Sequence, residues 1–239
     1  MYLLTVLFGT TLFHTIYPAK LPSYFPRCYQ DDQNINECFI SAANSLNENV
    51  RSGIPEIGLH QLDPFVAPNL NLTLESPITD LYVSVNDLNL DRLYNYHFTA
   101  ADIRPKEGVI TGTVILPDLD LWGNYRVQGH IINLPLNGGG YFKLMNDNME
   151  CDFLINDWNE RGNCNKINVE ITCRDEDVKV NLTGLPNGDT IIGLLNLSSK
   201  LVASEISPAY AGIFQKFLGS FLKRLCRKYP LNSLFPTSS

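Results

Sequence analysis

Between about Thr79 and Leu182 apolar and polar residues alternate, and on either side of that stretch the apolar residues recur at helical spacing. Side chains alternate faces along a strand, so the middle of the chain is read as a series of half-buried antiparallel strands. Tyr125, Val127, Gly129 and Ile131 share one face there, with Arg126, Gln128 and His130 on the other. Cys151, Phe153 and Ile155 share a face, as do Val169, Ile171 and Cys173. Asn137-Gly138-Gly139-Gly140 has the composition of a tight turn, where positive φ favours glycine.

A helix is expected from Asn34, which with Glu37 has the form of a capping box. Ile35, Cys38, Phe39, Ala42, Leu46 and Val50 make its apolar stripe, and Gly53 and Pro55 end it. An extended connector holding Pro55, Pro64 and Pro68 leads to the strands. Beyond them Ile191, Leu194, Leu195, Leu201, Val202 and Ile206 mark a helical stretch that resumes from Tyr210 to Leu225. Pro208 between the two predicts a kink or a break, because proline lacks an amide donor and crowds the preceding turn. Lys223, Arg224, Arg227 and Lys228 suit the helix C-terminus, and Pro230 stops it. The order is helix, long sheet, long helix, without internal repeats: an α+β chain.

Residues 1–19 carry no Lys, Arg, Asp or Glu and hold an apolar run from Leu3 to Phe13. That run is shorter than the roughly 20 residues a bilayer requires, and it suits a secretory signal cleaved near Lys20. The remaining 20–239 are read as one domain, secreted and extracellular, with no stable membrane insertion. At 44% hydrophobic and 18% charged the chain can bury a core. Its net charge of −7 argues against nucleic acid as a partner. Three sequons, at Asn71, Asn181 and Asn196, fit the same compartment and offer glycan positions.

The six cysteines are an even set, read as three disulfides. Cys28 with Cys38 would staple the lead segment to the first helical turn. If residues 151–156 and 167–173 form a hairpin about Gly162, Cys151 faces Cys173, Phe153 faces Ile171 and Ile155 faces Val169. Cys164 with Cys226 then remains by elimination.

Catalytic chemistry finds little support. His60, His97 and His130 lie far apart, and no H-E-x-x-H, G-x-S-x-G or P-loop pattern occurs. His130 reads as a solvated strand histidine. Asp118 and Asp120 imitate a carboxylate pair but are expected to face water. Asp175, Glu176 and Asp177 form an acidic turn without calcium-loop spacing. No enzyme activity, metal or cofactor is expected.

The Cys28–Cys38 helix start followed by "GIPEIGLHQLDPF" and the stretch "GTVILPDLDLWGNYRVQGHIINLPLNGGGYFKL" together resemble the Takeout and haemolymph juvenile-hormone-binding family. The likeness continues through the helix at Pro208 to the closing "YPLNSLFP". The resemblance implies a tubular lipid-binding fold, in which a long curved antiparallel sheet wraps a long, Pro-kinked C-terminal helix beside a short N-terminal helix. It implies a small hydrophobic ligand in the hollow: a juvenile hormone, a fatty acid or a related terpenoid or lipid. The wall residues it points to are Phe39, Tyr125, Val127, Ile131, Phe142, Phe153, Ile155, Val169, Ile171, Ile213, Phe217 and Phe221. Tyr125, Tyr141 and Trp158 are candidate donors to a ligand head. An unidentified protein receptor is a further expected class of partner. The competing readings are a secreted interaction or antagonist module with a filled core and, more remotely, a secreted hydrolase.

Overall fold

The structure, a computed structural model, describes residues 21–67, 69–131, 134–158 and 163–238. The expected signal over 1–19 and the turn about Gly162 lie outside these residues. The alternating stretch forms strands β3 (Thr79–Asp91), β4 (His97–Arg104), β5 (Val109–Leu116), β6 (Asp120–Ile131), β7 (Leu134–Asn146), β8 (Met149–Asn156), β9 (Asn168–Arg174) and β10 (Val178–Leu182). Two strands precede them, β1 (Phe65–Val66) and β2 (Leu70–Ser76). All pairings are antiparallel, and hydrogen bonding resolves them into two sheets. One runs β3-β6-β7-β10, with β1 and β2 both paired to the outer side of β3; the other runs β4-β5-β8-β9. The chain changes sheet after every second strand from β3 onward. The links Pro117–Leu119, Asp147–Asn148 and Asp175–Asp177 are so short that the two sheets must adjoin.

Strand β8 pairs with β9 in the expected register: Cys151 faces Cys173, Phe153 faces Ile171, and Ile155 faces Val169. Strands β6 and β7 are opposed from Asp120↔Met145 to Ile131↔Leu134, so the chain reverses between Ile131 and Leu134. The turn expected at Asn137–Gly140 is therefore absent, and the glycines lie inside β7. Their reason is room rather than reversal. A Cβ on Gly140 would stand 2.2 Å from the Thr183 carbonyl oxygen, which crosses close to the strand. Positive φ is required instead at Gly129 (131°), where a Cβ would fall 2.0 Å from Asp80 O across the β3–β6 pair.

The helices are α1 (Ile35–Ser45), α2 (Asn47–Ser52), α3 (Gly188–Leu197), α4 (Ser199–Lys228) and α5 (Leu231–Leu234). The capping box is not formed. Asn34 makes no side-chain cap; its own amide donates to Asp32 Oδ1 at 2.9 Å, so the preceding turn holds the helix start. The expected N-terminal helix is divided at Leu46. Helix α4 runs unbroken across Pro208, and the interruption falls at Ser198. Pro208 and Ser204 both lie on the exposed side, where water can satisfy the Ser204 carbonyl that loses its amide partner. At 30 residues α4 is about 45 Å long. It packs against β2, β10 and β9, and so touches both sheets.

Asparagines close the two sheets at opposite edges. Asn44 of α1 donates Nδ2 to Phe98 O (3.0 Å) and accepts the Phe98 amide on Oδ1 (2.8 Å), and Asn36 accepts the Ile103 amide (2.8 Å). Edge strand β4 is thereby satisfied by side chains instead of another strand. Asn196 does the same for β10 at Val180.

Candidate functional site: two apolar chambers

Helix α4 separates two chambers by its own sequence. Residues Val202, Ile206, Ala209, Tyr210 and Ile213 face a chamber of about 160 Å³, whose other walls come from β2, β3, β6, β7 and β10. Residues Phe214, Phe217, Leu218, Phe221, Leu222 and Leu225 face a second chamber of about 370 Å³. Its remaining walls are α1, α2, the β4-β5-β8-β9 sheet and the closing segment with Leu234 and Phe235. Among the described residues neither lining contains an Asp, Glu, Lys, Arg or His.

Eleven of the twelve expected wall residues border a chamber. Tyr125, Val127, Ile131, Phe142 and Ile213 line the smaller one; Phe39, Phe153, Ile155, Ile171, Phe217 and Phe221 line the larger. Val169 lines neither. It is buried under α4 where Gly219 has no side chain, and a Cβ there would sit 3.8 Å from Val169 Cγ2. The larger chamber is also an aromatic cage: Phe98 meets Phe39 and Phe153 edge-on at 5.7 Å each, and Phe39 stacks on Phe235 at 6.5 Å. Phe98 escapes sequence reasoning because a bulge between Phe98 and Ala100 breaks the alternation of β4. Tyr96 and Phe235 carry no local signal of a wall position.

The polar groups in these walls are few. The Tyr125 hydroxyl donates to Thr183 O at 3.0 Å, and the Tyr96 hydroxyl donates to Ala43 O at 2.9 Å. Burial pushes both phenols above their ordinary range, so both stay protonated donors. Tyr141 is 42% exposed on the outer surface and is no donor to either chamber. Trp158 borders the larger chamber and is only 3% exposed.

The other chemistry-bearing residues lie elsewhere. His60, His97 and His130 are exposed and line no chamber. Asp120 does not face water as expected. It is buried between Arg92 Nη2 (2.7 Å) and Lys143 Nζ (2.8 Å), while Asp118 stays half exposed and meets Arg92 Nε at 3.1 Å. The link at Pro117–Leu119 breaks the alternation, so both Leu119 and Asp120 turn inward. Asp175 is likewise buried, and burial first, then the Asp177 and Asp147 charges, raise its carboxyl to about 6. Among the described residues no group of three or more His, Cys, Asp or Glu is arranged to hold a metal, and no helix is long and apolar enough to cross a membrane.

Three disulfides join Cys28 to Cys38, Cys151 to Cys173 and Cys164 to Cys226. Each ties elements around the larger chamber: the lead segment to α1, β8 to β9, and the turn before β9 to the end of α4.

The crystal structure of Takeout 1 from Epiphyas postvittana superposes with a TM-score of 0.75 at 20% identity, over 89% of this chain and 100% of that one. The fold is shared. No curated protein matches the chain. The family model for haemolymph juvenile hormone binding protein matches residues 3–236, nearly the whole sequence. The chain is a member of the haemolymph juvenile hormone binding protein family.

Proposed function

We propose that the chain is a secreted carrier that holds a small hydrophobic molecule, a juvenile hormone, a fatty acid or a related terpenoid or lipid, in its larger chamber. The observation that carries this reading is an apolar chamber of about 370 Å³ inside a disulfide-tied domain. Apolar volume left unfilled in a core costs stability in proportion to its size, so a chamber this large is disfavoured unless something occupies it. Selection for stability alone would fill it, which speaks against an interaction module with a solid core. Binding would draw on apolar burial at roughly 25 cal/mol per Å², less the cost of ordering the ligand. The family is one of binding proteins, the described wall residues include no carboxylate or histidine, and no catalytic residue is proposed. Secretion is supported by the three disulfides and by the family's haemolymph members.

Native mass spectrometry of the protein secreted from insect cells, followed by solvent extraction, tests the reading. A stoichiometric adduct that leaves as an apolar small molecule is expected. A protein that stays at its apo mass through titration with juvenoids, fatty acids and their esters would end the carrier reading and turn attention to a protein partner.

A further inference from the structure

Helix α4 has a second face, turned away from the larger chamber. Residues 206–239 contain five Lys and Arg and no Asp or Glu, so the chain's net −7 divides into +5 over this segment and −12 elsewhere. All five cations, Lys216, Lys223, Arg224, Arg227 and Lys228, lie in the second half of α4. At 3.6 residues per turn Lys216, Lys223 and Arg227 fall within an arc of about 40°, and Arg224 and Lys228 flank them on one side. Exposed Ser220 lies close to the same line, so Lys216, Ser220, Lys223 and Arg227 make a polar ridge about 17 Å long. Lys216, Arg224, Arg227 and Lys228 are exposed and Lys223 is half-buried. Arg227 Nη2 donates to Asn165 Oδ1 at 2.8 Å and Lys228 Nζ donates to the Glu56 carbonyl, acceptors that are uncharged and leave both cations their charge. The Cys164–Cys226 disulfide brings exposed Lys166 to the same end of the helix. The helix dipole favours cations in the last turn only, which leaves Lys216, Lys223 and Arg224 without that reason.

We propose that this ridge docks a linear sulfated polysaccharide outside the cell and holds the protein there, while the inward face of the same helix walls the chamber. Charge complementarity carries the choice of partner. Cations fixed in a row on a rigid helix meet successive sulfates and release the counter-ions condensed along the polymer. Arg and Lys donors suit sulfate oxygens as they suit phosphate oxygens. A slender polyanion can follow the ridge alone, whereas a broad anionic surface would also meet the −12 of the remaining chain. A helix that seats in a bilayer needs its apolar face free; in α4 Phe214, Phe221 and Leu225 are turned to the chamber instead. The extracellular source of the partner rests on the secretion proposed above. The docking itself does not depend on what fills the chamber.

Heparin is the probe. The wild-type protein is expected to be retained on immobilised heparin at about 0.15 M salt, and its affinity to fall about tenfold or more for a fourfold rise in salt. Lys216→Gln, Lys223→Gln and Arg224→Gln together should weaken binding about tenfold or more. Lys106→Gln, Lys179→Gln and Lys200→Gln together make the same change of charge at exposed positions away from the ridge and should leave binding nearly unchanged. Passage of the wild type without retention, full retention of the ridge variant, or an equal loss in the control variant would each overturn the proposal. A competition on the wild type alone guards against a ridge variant that fails to fold: soluble heparin should elute the protein and heparin stripped of its sulfates should not. Equal elution by both would refute recognition of sulfate. Vesicles of phosphatidylserine and phosphatidylcholine should leave the protein in the supernatant at the salt where heparin retains it; co-sedimentation would reassign the ridge to a membrane and refute the polysaccharide.

Discussion

Asn196 grips the backbone of Val180 with both ends of its carboxamide: the Val180 amide donates to Oδ1 at 2.7 Å, and Nδ2 donates to the Val180 carbonyl at 3.0 Å. Helix α3 thereby stands in for the missing neighbour of edge strand β10. The same Nδ2 is the atom a glycan would occupy in the Asn196-Leu197-Ser198 sequon. Glycopeptide mapping of the secreted protein is expected to find Asn196 unmodified, with Asn71 and Asn181, both exposed on strands, as the sites that carry sugar. Asn196→Ala should cost about 1–3 kcal/mol, since it leaves two strand groups unpaired. A fully glycosylated Asn196 in a stable protein would show that this grip does not form.

What the sequence makes legible follows from period and pairing. Alternation puts Cys151, Phe153 and Ile155 on one face, and a hairpin then allows a single register that matches cysteine with cysteine. The family resemblance supplies the fold that periodicity cannot, because an apolar face reads the same whether it meets a core or a chamber. Gly138–Gly140 are misread because glycine marks both a reversal and a close approach, and only the tertiary position of Thr183 distinguishes them. Asn44 and Asn196 are invisible in sequence for the same reason: their partners, Phe98 and Val180, are 54 and 16 residues away.

The three disulfides differ in the length of chain they close. Cys164–Cys226 spans 62 residues, against 10 for Cys28–Cys38. On the chain-entropy account, replacing Cys164 and Cys226 together by Ala should cost about 4 kcal/mol, and replacing Cys28 and Cys38 about 3 kcal/mol. Denaturant melts of the two double variants measure the order, and non-reducing peptide maps check the connectivity.

The chambers can be filled one at a time. Ala42 borders the larger and Ala209 the smaller. Ala42→Phe and Ala209→Phe should each stabilise the apo protein by about 0.5–2 kcal/mol, as cavity-filling changes commonly do. Only Ala42→Phe should depress ligand uptake. Calorimetry and titration of a fluorescent fatty ester separate the two effects, and lost uptake in Ala209→Phe alone would move the binding site to the smaller chamber.

Phe217, half-buried against Phe65 at a centroid distance of 4.6 Å, presents α4 to the larger chamber. Phe217→Asp would put a carboxylate among groups that cannot pair with it. Loss of uptake or of folding is expected, by titration and circular dichroism respectively. Normal uptake by a folded variant would refute an inward-facing Phe217.

Asp175 makes stability depend on pH in an unusual direction for a carboxylate. Burial, then the charges of Asp177 and Asp147, raise its folded-state value to about 6, while amides of Asp177 and Glu176 oppose the shift only in part. The unfolded value is about 3.9, so between about pH 4 and 6 the folded chain binds the extra proton. The contribution to stability is fully present below the unfolded value and is lost as pH rises through about 6. Asp175→Asn removes the ionisation. It should stabilise the protein at pH 8 by about 1–2 kcal/mol, since partial solvent access screens the effect, and have little effect at pH 4. Melts of the two proteins across that range measure the difference; a gap that does not widen as pH rises would show that the Asp175 carboxylate is not destabilised by its surroundings.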